Sequence, residues 1–136
     1  MASPDASWPL QQAVYAALAG DATLTALAAG GVHDHVPQDQ PFPFVQIGEA
    51  TVRDWSAKTF DGAEHTLTIH AWARGRGRKG VKEIMARIHE VLHNAALAVT
   101  GHTLVLLRFE FADAMEDPDG LTYHGVTRFR AVTQPT

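Results

Sequence analysis

Cysteine is absent from this sequence of 136 residues. Its absence excludes disulfide bonds and every metal site that depends on thiolate ligands. At this length a folded chain buries roughly two-thirds of the surface that its unfolded form exposes, and 46% of the residues are hydrophobic. We therefore predict one domain over residues 1–136, held by a single core without covalent cross-links, with residues 1–6 as a flexible N-terminus.

An excess of positive charge is also absent. The chain has 11 Lys and Arg against 15 Asp and Glu, a formal net charge of −4. A protein that coats nucleic acid needs a basic face that outweighs the rest of its surface, so that class is excluded, although local basic patches remain possible. No apolar run reaches the ~18 residues of a membrane span, and residues 1–12 lack the features of a signal peptide. We expect a soluble protein that is used without export and has no membrane partner.

Apolar residues at helical spacing predict three helices. The first begins near Pro9 and ends at Gly20, and a shorter second helix is capped by Asp21 and stops before Gly30. The third, over residues 78–95, has the most regular pattern. Its apolar stripe consists of Val81, Ile84, Met85, Ile88, Val91, Leu92 and Ala95.

Four strands are predicted, over residues 44–49, 64–73, 104–111 and 121–132. The second alternates strictly between apolar and polar side chains, which is typical of a half-buried antiparallel strand. Pro37, Pro41 and Pro43 disfavour regular structure before the first strand.

The last two strands are expected to form a hairpin closed by a three-residue loop, with Gly120 in the left-handed conformation. Counting back from this loop gives three predicted cross-strand pairs: Asp117 with Leu121, Phe109 with Phe129 on the core face, and Glu110 with Arg128 on the other face.

The predicted fold class is α+β, a single domain in which an antiparallel sheet of about four strands has the helices packed on one face. The other face would be half polar, with apolar residues between the polar ones, an arrangement that suits a partner. Its predicted members are Thr66, Thr68, His70, Trp72, Leu106, Arg108, Glu110, Thr122, His124, Val126, Arg128, Arg130 and Val132.

A basic glycine-containing loop precedes the third helix. Gly75, Gly77 and Gly80 spell G-x-G-x-x-G between a predicted strand and a predicted helix, the context of a dinucleotide-binding turn. That turn needs a buried parallel strand before it, whereas residues 64–73 alternate, so a flexible basic loop is the preferred interpretation. The loop carries Arg74, Arg76, Arg78, Lys79 and Lys82, which suit an anion or a carboxylate-bearing neighbour.

His89, Glu90 and His93 form a literal H-E-x-x-H, the spacing that places two imidazoles on one helix face for zinc. A zinc-dependent hydrolase using these three residues is therefore the alternative function. A third ligand would have to come from elsewhere, and the spacing does not choose among His33, His35 and His102. Two histidines flanking a buried helix face are the favoured interpretation, with no catalytic residue, metal or cofactor.

Trp55 and Phe60 lie in a segment too polar to be core, over residues 51–62. Aromatic side chains that project from a long connection are typical contact anchors. The predicted interface residues are Trp55, Phe60, Arg74, Arg76, Arg78, Arg128 and Arg130, with the acidic stretch Glu116, Asp117 and Asp119 as the candidate complement of the cations.

Short motifs in a particular order resemble one known family. They are the segment from Phe42 to Glu49, Trp55 with Lys58-Thr59, Glu64-His65 leading to Trp72, Gly101-His102 before Leu104-Val105, Arg108-Phe109, and Asp119 to Gly125 running into Arg128-Phe129-Arg130. Along its full length, the chain resembles the tail-completion, or tail-terminator, proteins of siphophages and gene transfer agents.

The resemblance implies a small α+β subunit that assembles as a sixfold ring, caps the tail tube and presents the docking surface for the head connector. The implied partners are other copies of the chain, the tail tube protein and the head–tail connector or stopper protein. DNA would pass through the ring lumen without sequence-specific binding. The implied location is the head–tail junction of a phage-like particle, with assembly in the bacterial cytoplasm, and no catalysis belongs to this role.

Overall fold

Five strands and three helices make up the fold of the described residues, 5–75 and 77–136 of a computed structural model. None of the described helices is long and apolar enough to cross a membrane. The helices are α1 Ser7–Ala19, α2 Ala22–Leu27 and α3 Lys79–Leu92, and the strands are β1 Val32–His33, β2 Phe44–Asp54, β3 Ala63–Arg74, β4 His102–Glu116 and β5 Thr122–Pro135.

The strands form one mixed sheet in the order β1-β2-β3-β5-β4. All neighbours are antiparallel except β1 and β2, where Val32 and His33 pair in parallel with Val45 and Gln46. The α+β class is confirmed, but the expected antiparallel sheet of about four strands is wrong in strand number and direction. A strand of two residues is too short to show an alternating pattern, and β1 ends before the first proline of the segment that follows.

Helix positions follow the apolar spacing closely. The Asp21 side chain accepts a hydrogen bond from the Leu24 backbone N–H at 2.8 Å, which confirms it as the cap of α2. In α3 the buried residues are Val81, Ile84, Ile88 and Leu92, as the stripe predicts. The stripe continues in sequence to residue 95, but α3 ends at Leu92 because the chain turns at His93 to meet β4.

The core lies between the helices and one face of the sheet. Leu10, Val14 and Leu18 line the buried face of α1, and Phe129 is the largest fully buried side chain. Residues 1–4 lie outside the described residues. Ala6, at the end of the segment expected to be flexible, is fully buried.

Three strands extend by three residues or more beyond their predicted C-terminal ends. The strand predicted over residues 44–49 continues to Asp54, the strand predicted to stop at residue 111 continues to Glu116, and the last strand continues to Pro135. Hydropathy alternation fades in these extensions because their residues are mostly exposed, whereas backbone pairing continues along each hairpin. Backbone hydrogen bonds, which carry no side-chain pattern, set the ends of these strands.

The β4–β5 hairpin closes one residue differently from the prediction. Gly120 has φ +68°, in the left-handed region as expected. The Asp117 backbone N–H donates to the Thr122 carbonyl at 2.8 Å, so the loop has four residues rather than three and Asp117 is not opposite Leu121. The Asp119 carboxylate stabilises the loop by accepting hydrogen bonds from the Leu121 and Thr122 backbone N–H groups.

An irregularity in β4 compensates for this longer loop. The register shifts between Phe109 and Phe111, so Phe109 pairs with Phe129 as predicted, while Phe111 takes the predicted place of Glu110 opposite Arg128. A β-bulge adds one residue to one strand, which accounts for a correct pair on one side of the irregularity and a shifted pair on the other.

Replacing Gly120 with valine tests the hairpin. A β-branched residue at φ +68° costs about 1–2 kcal/mol because its side chain crowds the backbone in this region, although no atom would obstruct the added Cβ. We expect the free energy of unfolding, measured by urea titration, to fall by that amount. Gly120→Asn should be nearly as stable as the wild type because asparagine tolerates the left-handed region. A Gly120→Val protein as stable as the wild type would contradict the left-handed conformation assigned to residue 120.

Arg87 and Asp21 join α3 to α2. The Arg87 Nε and Nη2 atoms donate to the two Asp21 carboxylate oxygens at 2.8 and 2.7 Å, a bidentate pair between partly buried side chains. The hydrogen bonds from Arg87, with that from the Leu24 backbone, lower the pKa of Asp21 to about 2. The Asp21 carboxylate thus caps α2 and binds Arg87 of α3.

Stability should fall on acidification because of this pair. The folded-state pKa of Asp21 is about 2, below the ordinary value of 3.8, so its ionised carboxylate adds to the free energy of unfolding. This contribution is complete well above pH 3.8 and is lost as the pH falls towards 2. Asp21→Asn keeps a capping side chain but removes the charge, and should cost roughly 1 kcal/mol at pH 7. Urea titrations at several pH values should show that the free energy of unfolding falls less on acidification in Asp21→Asn than in the wild type. The control Asp34→Asn should show the same fall as the wild type. An equal fall in all three proteins would refute the role assigned to Asp21.

Candidate interaction surfaces

None of the described helices packs on one face of the sheet, and we call it the open face. Its central members alternate with the buried residues of β3 and β5 and pair across the two strands, His70 with Val126 and Trp72 with His124. The half-polar face predicted from the sequence is therefore present. It contains Thr66, Thr68, His70 and Trp72 of β3 and His124, Val126, Arg128 and Arg130 of β5.

Aromatic rings are stacked across one end of the open face. The Trp72 and His124 ring centroids are 3.8 Å apart with the ring planes at 4°, and Phe44 stacks on the other side of Trp72 at 6.3 Å. Phe42 follows at 5.1 Å from Phe44, and the Arg74 guanidinium lies 4.2 Å from the Phe42 ring centroid. This end of the face is ordered by ring contacts, with a cation at its edge.

A hydrogen-bonded chain lies beside these rings. The Nε2 atom of His70 is 2.7 Å from Glu49 Oε1, and its Nδ1 atom is 2.7 Å from His124 Nε2. A proton on His70 Nε2 donates to the carboxylate, which leaves Nδ1 to accept from His124. The bond from His70 lowers the pKa of Glu49, while burial and then His70 lower the pKa of His124. The chain fixes ring orientation on this face.

Arg128 and Arg130, both predicted interface residues, lie over aromatic rings. The Arg130 guanidinium is 5.0 Å from the Trp55 ring centroid and donates a hydrogen bond to Glu64, and Arg128 lies 5.4 Å from the Phe111 ring. Their charges are therefore placed among apolar groups at the surface. This combination is typical of interface anchors.

Trp55 and Phe60 are exposed, as predicted, on the connection between β2 and β3. Trp55 is 46% exposed and Phe60 is 40% exposed. The Ala57 backbone N–H donates to the Phe60 carbonyl at 3.0 Å and the Trp55 N–H donates to the Gly62 carbonyl at 2.9 Å. A tight turn thus presents both rings to solvent, and we call residues 55–61 the aromatic loop.

The basic loop lies at the opposite end of β3. Gly75 has φ +140° and Gly77 has φ +78°, and the Gly77 backbone N–H donates to the Tyr123 hydroxyl at 3.1 Å. Arg78 lies 5.8 Å from the Tyr123 ring, while Arg76 is outside the described residues. Both neighbours of β3 are antiparallel to it, so the glycines do not occupy the parallel-strand setting of a dinucleotide-binding turn.

The acidic stretch lies at this same end of the sheet. The Tyr123 hydroxyl, which accepts from Gly77, donates to Glu116 at 2.9 Å, and the Gly75 N–H donates to the Leu121 carbonyl. Arg74 also lowers the pKa of Asp119, though less than the hydrogen bonds within the hairpin loop. The two charged segments face each other within one subunit, which does not favour them as each other's complement on adjacent subunits.

His89 and His93 have structural contacts. Their rings stack at 4.9 Å, the His93 Nδ1 atom accepts the Phe109 backbone N–H at 3.0 Å, and the Glu90 carboxylate pairs with Arg87. The residues described hold no group of three metal-ligating side chains. The H-E-x-x-H spacing therefore serves the junction between α3 and β4.

A groove between α3 and the edge strand β4 was not predicted. It has a volume of about 510 Å³ and is lined mainly by Met85, Ala86, His89, Phe109, Ala112, Ala114 and Thr127. It exists because α3 packs on Gly125 of β5, so the edge strand β4 lies beside the helix and stays exposed at Ala112. The sequence signal was the pair of small residues, Ala112 and Ala114, which the predicted end at residue 111 placed outside the strand.

Comparisons with known proteins agree with this fold. The family described as Tail completion protein gp17 matches residues 12–134. The Tail completion protein gp17 of Bacillus phage SPP1 is 31% identical over 93 residues, which cover 68% of this chain and 69% of the phage protein.

Two solved structures share the fold. A chain from the virion of a native gene transfer agent particle has a TM-score of 0.88 and 32% identity, covering 97% of this chain and 99% of that one. The structure of bacteriophage SPP1 gp17 has a TM-score of 0.65 and 27% identity, covering 93% and 89%. The family match over nearly the whole chain, with the same fold in these structures, shows that the chain belongs to the gp17 family of tail completion proteins.

Proposed function

We propose that this protein is a structural component of a phage-like particle that forms a ring, of six subunits, at the end of the tail tube. The ring ends the tube and offers the docking surface for the head connector. It acts through assembly and has no catalytic role. The partners are other copies of the chain, the tail tube protein and the head–tail connector or stopper protein.

The single observation that carries this proposal is the match to a chain of an assembled particle. That chain is part of a gene transfer agent virion, and it agrees with this one over almost the full length of both. A subunit of the same length and fold has the same surfaces available for assembly. The relative in phage SPP1 is named a tail completion protein, which supports a position at the head–tail junction. Assembly in the bacterial cytoplasm is a further part of the proposal.

The open face and the aromatic loop support a role in contacts. Exposed aromatic rings with stacked guanidinium groups, as at Trp55 with Arg130 and Phe111 with Arg128, are enriched at protein interfaces. Arg74 and Arg78, with Arg76 between them in the sequence, supply further cations at the other end of β3. A net charge of −4 suits a ring through which DNA passes without being held.

Ring formation should depend on the aromatic loop. Native mass spectrometry of the wild type should detect a hexamer, with six times the 14.7 kDa mass of one chain. At the same concentration Trp55→Ala should give monomers. An interface tryptophan contributes about 2 kcal/mol or more, roughly a 30-fold change in dissociation constant. The matched control is Tyr15→Ala, which removes a ring of similar exposure, 44%, from α1 and should leave the ring intact.

Circular dichroism and thermal unfolding of Trp55→Ala complete this test. A folded monomer is expected, since Trp55 is half exposed and outside the core. A variant that assembles like the wild type would exclude Trp55 as an anchor, and an unfolded variant would show that its contact with Arg130 is needed by the monomer. A wild type that stays monomeric both alone and on tail tubes would refute the ring.

The basic loop should contribute electrostatic attraction to the free energy of association between subunits. The double variant Arg76→Glu with Arg78→Glu is expected to weaken association most at low ionic strength, because the screening length falls from about 30 Å at 0.01 M to about 8 Å at 0.15 M. Sedimentation velocity across this salt range measures the effect. The control Arg53→Glu reverses one other exposed cation outside the basic loop, and an equal loss of association per reversed charge in both proteins would remove the loop from the interface.

A further inference from the structure

We infer that the groove between α3 and β4 receives the aromatic loop of an adjacent copy of this chain, with Phe60 as the inserted side chain. The inference rests on the proposed ring and names the two surfaces that join one subunit to the next. It assigns a function to the space between α3 and the exposed edge strand β4.

The groove has the dimensions and lining of a site for an apolar side chain. Its floor is made of small residues, since Ala112 and Ala114 of β4 lie opposite Thr127 and Gly125 of β5. Its walls are Met85 and Phe109, and Phe109 is 36% exposed although it faces the core. Methionine adapts its shape to an aromatic ring and makes favourable sulfur–ring contacts.

A buried hydroxyl in the groove lacks a hydrogen bond. Thr127 lines the groove and is 1% exposed, and its Oγ1 atom has no partner among the residues that the structure describes. Buried polar atoms are almost always paired, and an unpaired one costs free energy. A polar group entering with the aromatic loop would satisfy this hydroxyl once rotation of the Thr127 side chain turns Oγ1 towards the groove.

Charges on the two surfaces are complementary. The groove has Lys82 on its helix wall and Asp113 on its strand wall, and the aromatic loop has Lys58 and Asp61 on either side of Phe60. All four side chains belong to exposed residues, and none makes an ion pair within the described part of the subunit. Inserting Phe60 can pair Lys58 with Asp113 and Asp61 with Lys82.

The placement of the two surfaces fits head-to-tail assembly. The groove is on the helix-covered face beside β4, whereas Trp55 contacts Arg130 on the open face. One subunit cannot close this contact on itself, and two subunits joined this way leave one groove and one loop unfilled. Repetition of such a contact gives a closed ring when the rotation between successive subunits divides a full turn, as the proposed ring requires, and an open filament otherwise.

Thiol cross-linking tests the contact directly, because the chain has no cysteine of its own. Thr59→Cys places a thiol beside Phe60, and Ala86→Cys places one on the helix wall of the groove. A short bis-maleimide should give covalent dimers when the two single variants are mixed, and little product from either alone. A chain carrying both substitutions should give a ladder of products that ends at the ring size.

The matched control is Ala16→Cys, which replaces Ala86→Cys with another exposed helical alanine and should give no dimer with Thr59→Cys. The reaction is run on concentrated protein and on assembled tails. If rings form without the specific cross-link, the groove contact is refuted and the proposed ring is retained. If neither sample contains rings, both the groove contact and the proposed ring are refuted. Products with another tail or head protein, or from Ala86→Cys alone, would assign the groove to a different occupant.

Filling the groove provides an independent readout. Ala112 is exposed, so Ala112→Phe should leave the monomer folded while raising the dissociation constant of the ring at least about tenfold. Ala22→Phe, at an exposed position of α2, should have no effect on assembly. An Ala112→Phe protein that forms rings like the wild type would overturn the inference.

Discussion

Close packing of α3 on the centre of the sheet is the constraint on which the rest of the structure depends. Gly125 of β5 makes this packing possible: a Cβ atom there would lie 2.4 Å from Met85 Sδ and 3.0 Å from Val81 Cγ2. The helix therefore approaches the sheet where a side chain is absent. Its buried stripe then covers β3 and β5, and Phe129 is completely enclosed.

The position of α3 also determines what is left uncovered. The open face has no helix among the described residues, so its aromatic side chains are stabilised by polar neighbours: Trp72 stacks on His124, and Arg130 lies over Trp55 of the aromatic loop. The edge strand β4 lies beside α3 rather than under it, and the space between them is the groove. Both surfaces that we connect with assembly are consequences of a sheet larger than its helical cover, a common property of subunits that complete their burial in an oligomer.

Motifs with strong chemical associations have local structural roles in this fold. His93 of the H-E-x-x-H sequence accepts a backbone N–H of β4, and Gly77 of the G-x-G-x-x-G sequence donates to the Tyr123 hydroxyl. A short motif specifies chemistry only with its surroundings: a third metal ligand in the first case, a parallel strand in the second. The surroundings here are an edge strand and an antiparallel sheet.

The sequence by itself determined the helices, the central strands and the exposed aromatic residues, because each depends on local periodicity or polarity. The stripe of α3, the cap at Asp21, the alternation in β3 and the exposure of Trp55 could all be predicted in this way. Tertiary structure alone decided the parallel β1, the ends of the long strands, the bulge beside Phe109 and the groove over Thr127. These features depend on backbone pairing between distant segments and on how far a helix reaches across a sheet, and neither leaves a periodic signal in the chain.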